Sequence, residues 1–368
     1  MHVLIAPDSV APMLSASDSA AVLAEPWQDR GHTVRQVPMG TGSTGLVEAV
    51  AAARGGHVHP VRATGPEAVA EMLLVEGTAY VEAGPLLTRM PEVAEDGLLG
   101  STAPLAAVLL AAIATGAQRV VVGLGGTPVH DGGRGLLHAL AEHVGCSVEP
   151  SPENLTAMRA VLAPVTVDVA AGTELPLLGL HGAGAELARY PGLDATIAQR
   201  AENVVGGQVA EWERVAQQTS RRSLLADDSA PRLGRAPHSG AGGGAAFALA
   251  LLGARLLPGP ELVAAEVGLP AAVAEADLVV TAAPALDGAA LHDGIPAVVG
   301  RAAMEVGVPV VAVGWEVHTS RRDGARVGIS ASYPVIDPRM PGTGPAPSTD
   351  PLTALQARAE RIVKTWAQ

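Results

Sequence analysis

Four segments carry the residues whose types and spacing could do chemistry. The richest is Gly123-Leu124-Gly125-Gly126-Thr127-Pro128-Val129-His130-Asp131-Gly132-Gly133. Glycines such as Gly125 and Gly126 let backbone N–H groups approach an anion, and Thr127 adds a hydroxyl. His130 and Asp131 offer a base or a metal ligand. The competing reading is a tight turn whose Asp131 satisfies backbone amides. Asp8, in Ala6-Pro7-Asp8-Ser9, suits a substrate hydroxyl or a metal, or else caps its loop. Asp168 stands in the apolar run Val165-Thr166-Val167-Asp168-Val169, where a carboxylate needs a partner or a cation. A structural acid at a strand end fits the same description. Asp287 precedes Gly288, and most such pairs make only a turn.

The elements that must position these groups are short apolar runs alternating with alanine-rich helical stretches. Residues 3–6, 33–37, 79–81, 119–122, 277–281 and 309–313 read as strands. The last two have the continuous Val/Leu character of strands buried on both faces. A helix is expected over 15–25, with Ser15 as N-cap and Asp18 in its third position. Ser101-Thr102-Ala103-Pro104 opens another, which Gly116 stops. A terminal helix covers 352–366. The alternation predicts an α/β fold with a mostly parallel sheet, and ligands of such sheets sit at the carboxyl ends of strands. Residues 226–244 and 336–353 read as surface connections.

Composition narrows the classes. A length of 368 residues suggests two domains. With 48% hydrophobic but only 2% aromatic residues, the core must be aliphatic. A net charge of −13 argues against nucleic-acid binding; no basic cluster exceeds Arg221-Arg222 or Arg321-Arg322. One cysteine, Cys146, excludes an internal disulfide and fits a cytoplasmic protein. The opening Met1-His2-Val3-Leu4-Ile5 reads as a strand and not as a leader, and residues 105–113 are too short an apolar stretch for a membrane span. The only lysine is Lys364, so no Walker A loop exists. Gly240-Ala241-Gly242-Gly243-Gly244-Ala245 fits a dinucleotide fingerprint only loosely, because a polar loop precedes it. His292-Asp293 and the pair His57 and His59 lack a metal spacing, and no nucleophile elbow is present.

Taken in order, the loops resemble the bacterial two-domain glycerate kinase family, which phosphorylates glycerate on a hydroxyl using ATP. Ala6-Pro7-Asp8-Ser9 with Leu14-Ser15-Ala16 is similar to its opening signature, and Pro38-Met39 with Gly42 and Gly45 to its second loop. The segment 123–133 resembles its most distinctive motif. Asp168-Val169 with Leu177-Leu178-Gly179, the Gly/Ala-rich residues 240–247, and 277–281 with Leu286-Asp287-Gly288 follow colinearly. The resemblance implies two α/β lobes with a cleft between them. One is flavodoxin/Rossmann-like, expected over 1–65 plus 275–368, and the other covers 66–274. It also implies ATP with Mg²⁺, a small hydroxy acid as substrate, and no nucleic-acid or membrane partner. Candidate catalytic residues are then Asp8, Asp131, Asp168 and Asp287. Ser9, Ser101, Thr102, Gly125, Gly126, Thr127 and His130 are candidates for binding substrate or phosphate, and no metal ligand set is assigned.

The departures are systematic. By this resemblance, a family lysine is Ala11 here, and an aspartate and a glutamate of the second loop are Thr41 and Thr44. A Gln-Lys pair is Tyr190-Pro191, and a glutamate, a glutamine and a lysine of the last signature are Ala283, Ala289 and Gly294. The lysines became Ala, Pro and Gly and not Arg, so drift between cations does not account for them. Phosphoryl transfer depends on positioned cations. Arg134, Arg189 and Arg301 are the candidates to replace them. The expectation is a weak or lost kinase activity, with two alternatives: a non-catalytic relative binding a small ligand or a protein partner, or a different activity on a less charged substrate.

Overall fold

The structure is a computed structural model that describes residues 1–11, 14–63, 68–219, 232–336 and 350–367. Pro12 and Met13 of the first loop, Arg221-Arg222, and parts of the connections 226–244 and 336–353 lie outside the described residues. Its strands are β1 (His2–Ile5), β2 (Thr33–Gln36), β3 (His57–Arg62), β4 (Val69–Val75), β5 (Thr78–Glu82), β6 (Arg119–Leu124), β7 (Thr166–Ala171), β8 (Arg255–Pro258), β9 (Leu278–Leu286), β10 (Val310–Val317) and β11 (Ile329–Pro334). They divide between two compact units. The first is Met1–Thr41, Glu48–Gly55 and Pro260–Gln368; the second is Gly42–Val47 and Gly56–Gly259.

The first unit holds a five-stranded sheet in the order β11-β10-β9-β1-β2, every pair parallel. β9 and β10 are the continuous apolar runs, and they lie inside the sheet where both faces are covered. Helix Ala16–Gln28 begins with a capping box between Ser15 and Asp18. It packs Leu23 and Trp27 against the sheet side chains and against Leu355, Ile362 and Val363 of the terminal helix Pro351–Trp366.

The second unit holds a six-stranded sheet in the order β3-β4-β5-β6-β7-β8. Its β5-β6-β7-β8 part is parallel, while β3 and β4 run antiparallel. The hairpin β4–β5 turns on Glu76-Gly77, both at positive φ as a two-residue turn requires. β3 is an exposed edge carrying His57, His59, Pro60 and Arg62, the polar and proline content that discourages edge pairing. Sequence periodicity passed over this hairpin because only β5 is buried along its length. Helix Pro104–Ala114 has proline in its first turn, and Leu105 and Leu109 join Leu136, Leu140 and Phe247 in the core. Among the described residues no helix is long and apolar enough to cross a membrane.

Glycine-on-glycine packing joins 123–133 to 240–244. The Gly132 amide donates to the Gly243 carbonyl at 3.0 Å, and the Gly242 amide to the Gly125 carbonyl at 2.8 Å. Gly243 has φ 66°, and a Cβ there would overlap the Val129 carbonyl. The loose dinucleotide fingerprint is thus a close backbone contact. Replacing Gly243 with alanine is expected to destabilise this unit by at least about 3 kcal/mol, since strain and overlap with immobile backbone add. Urea titration of the G243A protein checks this; a midpoint equal to that of the parent would refute the packing argument.

Candidate functional site

At the carboxyl edge of the second unit's parallel strands, β5 ends in Glu82, β6 runs into Gly125-Gly126, and β7 exits at Gly172. The segment 42–45 lies directly on this edge. A Cβ on Gly123 would overlap the Gly42 carbonyl, and one on Gly125 would come within 2.6 Å of the Ser43 side chain. Glu82 holds the segment by accepting hydrogen bonds from the amides of Gly45 (3.1 Å) and Val47 (3.3 Å), at the start of helix Leu46–Arg54. Burial raises the Glu82 pKa against those hydrogen bonds. Gly126 is more open: a Cβ there would meet only the Tyr190 hydroxyl, at 3.7 Å. Burial, and then the charge of Glu186, raise the pKa of that phenol.

Asp131 is buried and organises the end of the loop. Its carboxylate accepts from the Thr102 amide (2.8 Å) and hydroxyl (3.0 Å), and from the amides of Gly133 and Gly135 (both 2.9 Å). Thr102 in turn accepts from the Leu136 amide at 3.0 Å. One carboxylate therefore joins the starts of helices Pro104–Ala114 and Arg134–Val144, where partial positive charge favours an anion. Burial still raises its pKa, opposed by those donors. The amide-satisfying reading of Asp131 describes this geometry. Thr127 is similarly occupied: its hydroxyl donates to the Leu87 carbonyl and accepts from the Val129 amide at 3.2 Å.

His130, expected to bind substrate, is wholly buried instead, and neither ring nitrogen has a hydrogen-bond partner. Its backbone pairs with Leu99, and the side chain points into protein, which is why it does not serve as a surface ligand. Burial lowers its pKa to about 4. Ser101 lies on the exposed side of Thr102, beside a cavity of about 260 Å³ that Asp96, Asp131, Arg134 and His138 also line. Arg134 pairs with Asp96 at 2.7 Å, Arg189 with Glu186 at 2.6 Å and Arg301 with Glu261 at 2.9 Å. Arg134 alone of the three stands beside the loop, following Gly133 directly.

Asp168 departs from its expected catalytic place. It is the third residue of β7, next to the amino edge of the sheet. It accepts from Arg119, the first residue of β6, at 2.7 Å, and from Arg255, the first residue of β8, at 2.6 and 2.8 Å. Burial alone would raise its pKa, but the two guanidiniums outweigh it and hold the carboxyl below its usual value. This is the strand-end structural acid, and the position at the ligand edge of β7 is Gly172, which has no side chain.

In the first unit, Asp8 and Asp287 follow the adjacent strands β1 and β9. Asp8 accepts from the Ser9 amide at 2.7 Å and from its hydroxyl at 3.3 Å. Burial pushes its pKa up to about 6 against those hydrogen bonds. Asp287 accepts from the Ala290 amide at 2.9 Å, as a turn residue does. At the end of neighbouring β10, His318 Nε2 lies 2.9 Å from Glu316.

Sequence reasoning missed Ser43, Glu82 and His238. Glu82 was legible as an acid following an apolar strand. Ser43 was hidden because its contact depends on the glycine at 125. His238 was hidden inside a polar connection, and only its backbone angle, φ 70°, singles it out.

The fold is an α/β arrangement of one all-parallel sheet and one mixed sheet, with glycine-rich turns at the strand exits. The chain belongs to the glycerate kinase family, whose model matches residues 3–367. It is 26% identical over 363 residues to the glycerate kinase of Bacillus subtilis, covering 93% of this chain and 92% of that protein. It is 26% identical over 358 residues to the glycerate 2-kinase of Escherichia coli, covering 91% of each. An uncharacterised protein of Mycobacterium bovis is 30% identical over 92% of this chain and 84% of its own length. A solved chain from Salmonella typhimurium LT2, described as a glycerate kinase 2, superposes with a TM-score of 0.73 at 22% identity. The alignment covers 100% of this chain and 98% of that one, and shows the shared fold.

Two pH dependences follow. The unfolded chain protonates His130 near its ordinary 6.5, whereas the folded protein does so near 4. Stability therefore is full above pH 6.5 and falls as pH drops toward 4, because the unfolded state binds the extra proton. His130→Leu should flatten the urea midpoint between pH 4 and 6.5; an unchanged slope would count against it. Asp8 runs the other way: its folded pKa is raised from 3.8 to about 6, so stability falls as pH rises through that window. Asp8→Asn should melt above the parent at pH 8 and equal it below pH 4, read by calorimetry; an advantage present at every pH would sink the assignment.

Proposed function

We propose that this protein transfers a phosphoryl group from ATP to the hydroxyl of a small hydroxy acid of the glycerate kind, at a rate well below that of relatives with lysines in these loops. What carries the reading is a retained scaffold with altered charge. The Gly125-Gly126 turn, its Asp131 tie and the raised Asp8 are in place. Ala11, Thr41, Thr44 and Pro191 stand where the resemblance puts cations and acids.

In this reading the hydroxyl oxygen attacks the γ-phosphorus, the bond to the β-phosphate oxygen breaks, and ADP leaves. Mg²⁺ would neutralise the phosphate charge and arrive with the nucleotide. Among the described residues no group of three or more His, Cys, Asp or Glu could hold a metal ion. Nucleotide-borne Mg²⁺ needs only one or two carboxylates from a protein. The glycine turn at 125–126 offers its backbone to the acid substrate. Thr102 and Thr127 support the loop, and Asp168 braces the sheet.

A second reading rests on the internal use of these groups. Asp131, Asp168, Thr102 and Thr127 all have protein partners, which suits a protein that binds a small ligand without turnover.

Each missing donor costs about 10²–10³ in rate, so ADP release with ATP, Mg²⁺ and glycerate is expected to run at least about 10³-fold below that of the Bacillus subtilis relative. Release at that relative's rate would overturn the reduced-rate reading. No transfer, together with a melting-temperature rise on adding glycerate or ATP, would favour the second reading.

A further inference from the structure

Among the described residues only two non-glycine residues have positive φ, Glu76 and His238. Glu76 is explained by its hairpin. His238 sits at φ 70° in a connection where glycine would be unstrained, so its imidazole is kept against a backbone preference. Outliers of this kind concentrate at functional sites, which makes the ring worth examining.

The ring has a defined proton arrangement. Nδ1 lies 2.8 Å from the Thr173 carbonyl. A carbonyl only accepts, so Nδ1 carries the hydrogen and the neutral ring presents its lone pair at Nε2. Among the described residues Nε2 has no hydrogen-bond partner. It is also absent from the sealed, unpartnered polar atoms, which include both nitrogens of His130. His238 is a buried residue, at 9% exposure, but its Nε2 is not sealed as both nitrogens of His130 are.

The place is the ligand edge of the second unit. Thr173 follows Gly172, whose amide donates to the Leu124 carbonyl at 2.8 Å, so the ring is tethered at the exits of β6 and β7. Its backbone is held by the His238 amide to the Glu174 carbonyl (3.1 Å) and the Gly240 amide to the Leu175 carbonyl (3.0 Å). The Leu177 amide bonds the Ser239 hydroxyl at 2.9 Å, and Gly242 joins the same segment to Gly125. Meanwhile the nearby carboxylates Glu82 and Asp131 already accept two or more hydrogen bonds each.

We propose that His238 is the catalytic proton acceptor: Nε2 takes the proton of the hydroxy acid's hydroxyl as that oxygen attacks the γ-phosphorus of the nucleoside triphosphate, and the diphosphate leaves. The inference rests on the kinase reading above. The test uses γ-labelled ATP, Mg²⁺ and glycerate with the full chain and two variants. H238G removes the base and the backbone strain, so it should melt no lower than the parent yet transfer label about 10²–10⁴-fold more slowly. Added imidazole should restore a large part of its rate by occupying the vacated space. H238N, whose side chain tolerates this φ but is no base, should be slow and unresponsive to imidazole. Transfer within about threefold of the parent in either variant, or a slow H238G that imidazole does not rescue, would overturn the role. A parent protein that transfers no label to glycerate fails the kinase reading itself, and this role with it, whereas an active parent with unaffected variants fails this role alone.

Discussion

The arrangement of the second unit depends on one close contact, the approach of residues 240–244 to the backbone of 125–133. Gly243 must lie against the Val129 carbonyl, and Gly244 against Gly132, where a Cβ would come within 2.5 Å of the Gly132 Cα. No side chain fits at either point. Once the two backbones are in register, Asp131 is placed where the amides of Gly133 and Gly135 reach it. Thr102 then closes the arrangement from the neighbouring helix. The glycines specify the path, and the aspartate makes a buried path compatible with hydrogen bonding.

That chain of dependence redistributes the polar groups. In an open loop Thr127, Asp131 and Thr102 would be free to meet a ligand. Here each has protein partners, so their hydrogen-bonding capacity supports the loop. The groups left without a saturating partner at this edge are mostly uncharged: backbone at Gly126, the Tyr190 phenol and the His238 Nε2. A site of this composition recognises its ligand by shape and neutral donors, and that matches the loss of lysines far better than a site waiting for a substitute arginine. Arg134, Arg189 and Arg301 each have a carboxylate partner already.

Much of this was readable from residues alone, and the limits are physical. The alternation of apolar runs with alanine-rich stretches pointed to the parallel strands, and Ser15 with Asp18 to a real helix start. The β3 edge escaped because an exposed strand lacks the apolar signal. Asp8 and the glycine turn were identifiable as strand-exit features. Asp168 was not, since an acid three residues into a strand and an acid at its end look alike without a register. The burial of His130 and the strain at His238 depend on tertiary contacts: both histidines are buried, but only His238 has a hydrogen-bonded ring and a positive φ.

The two edges of the sheets separate support from chemistry. At the amino edge of the second unit, Asp168 sits between Arg119 and Arg255, and its ionised form is favoured. At the carboxyl edges the reverse holds: burial disfavours the ionised forms of Glu82 and Asp8, and His238 holds a strained backbone. A fold selected for stability alone would remove such costs, by Asn at Asp8 or Gly at His238. Their concentration on the edges where parallel sheets bind ligands, with stabilised charge at the opposite edge, is the pattern expected when unfavourable terms are retained for reactivity.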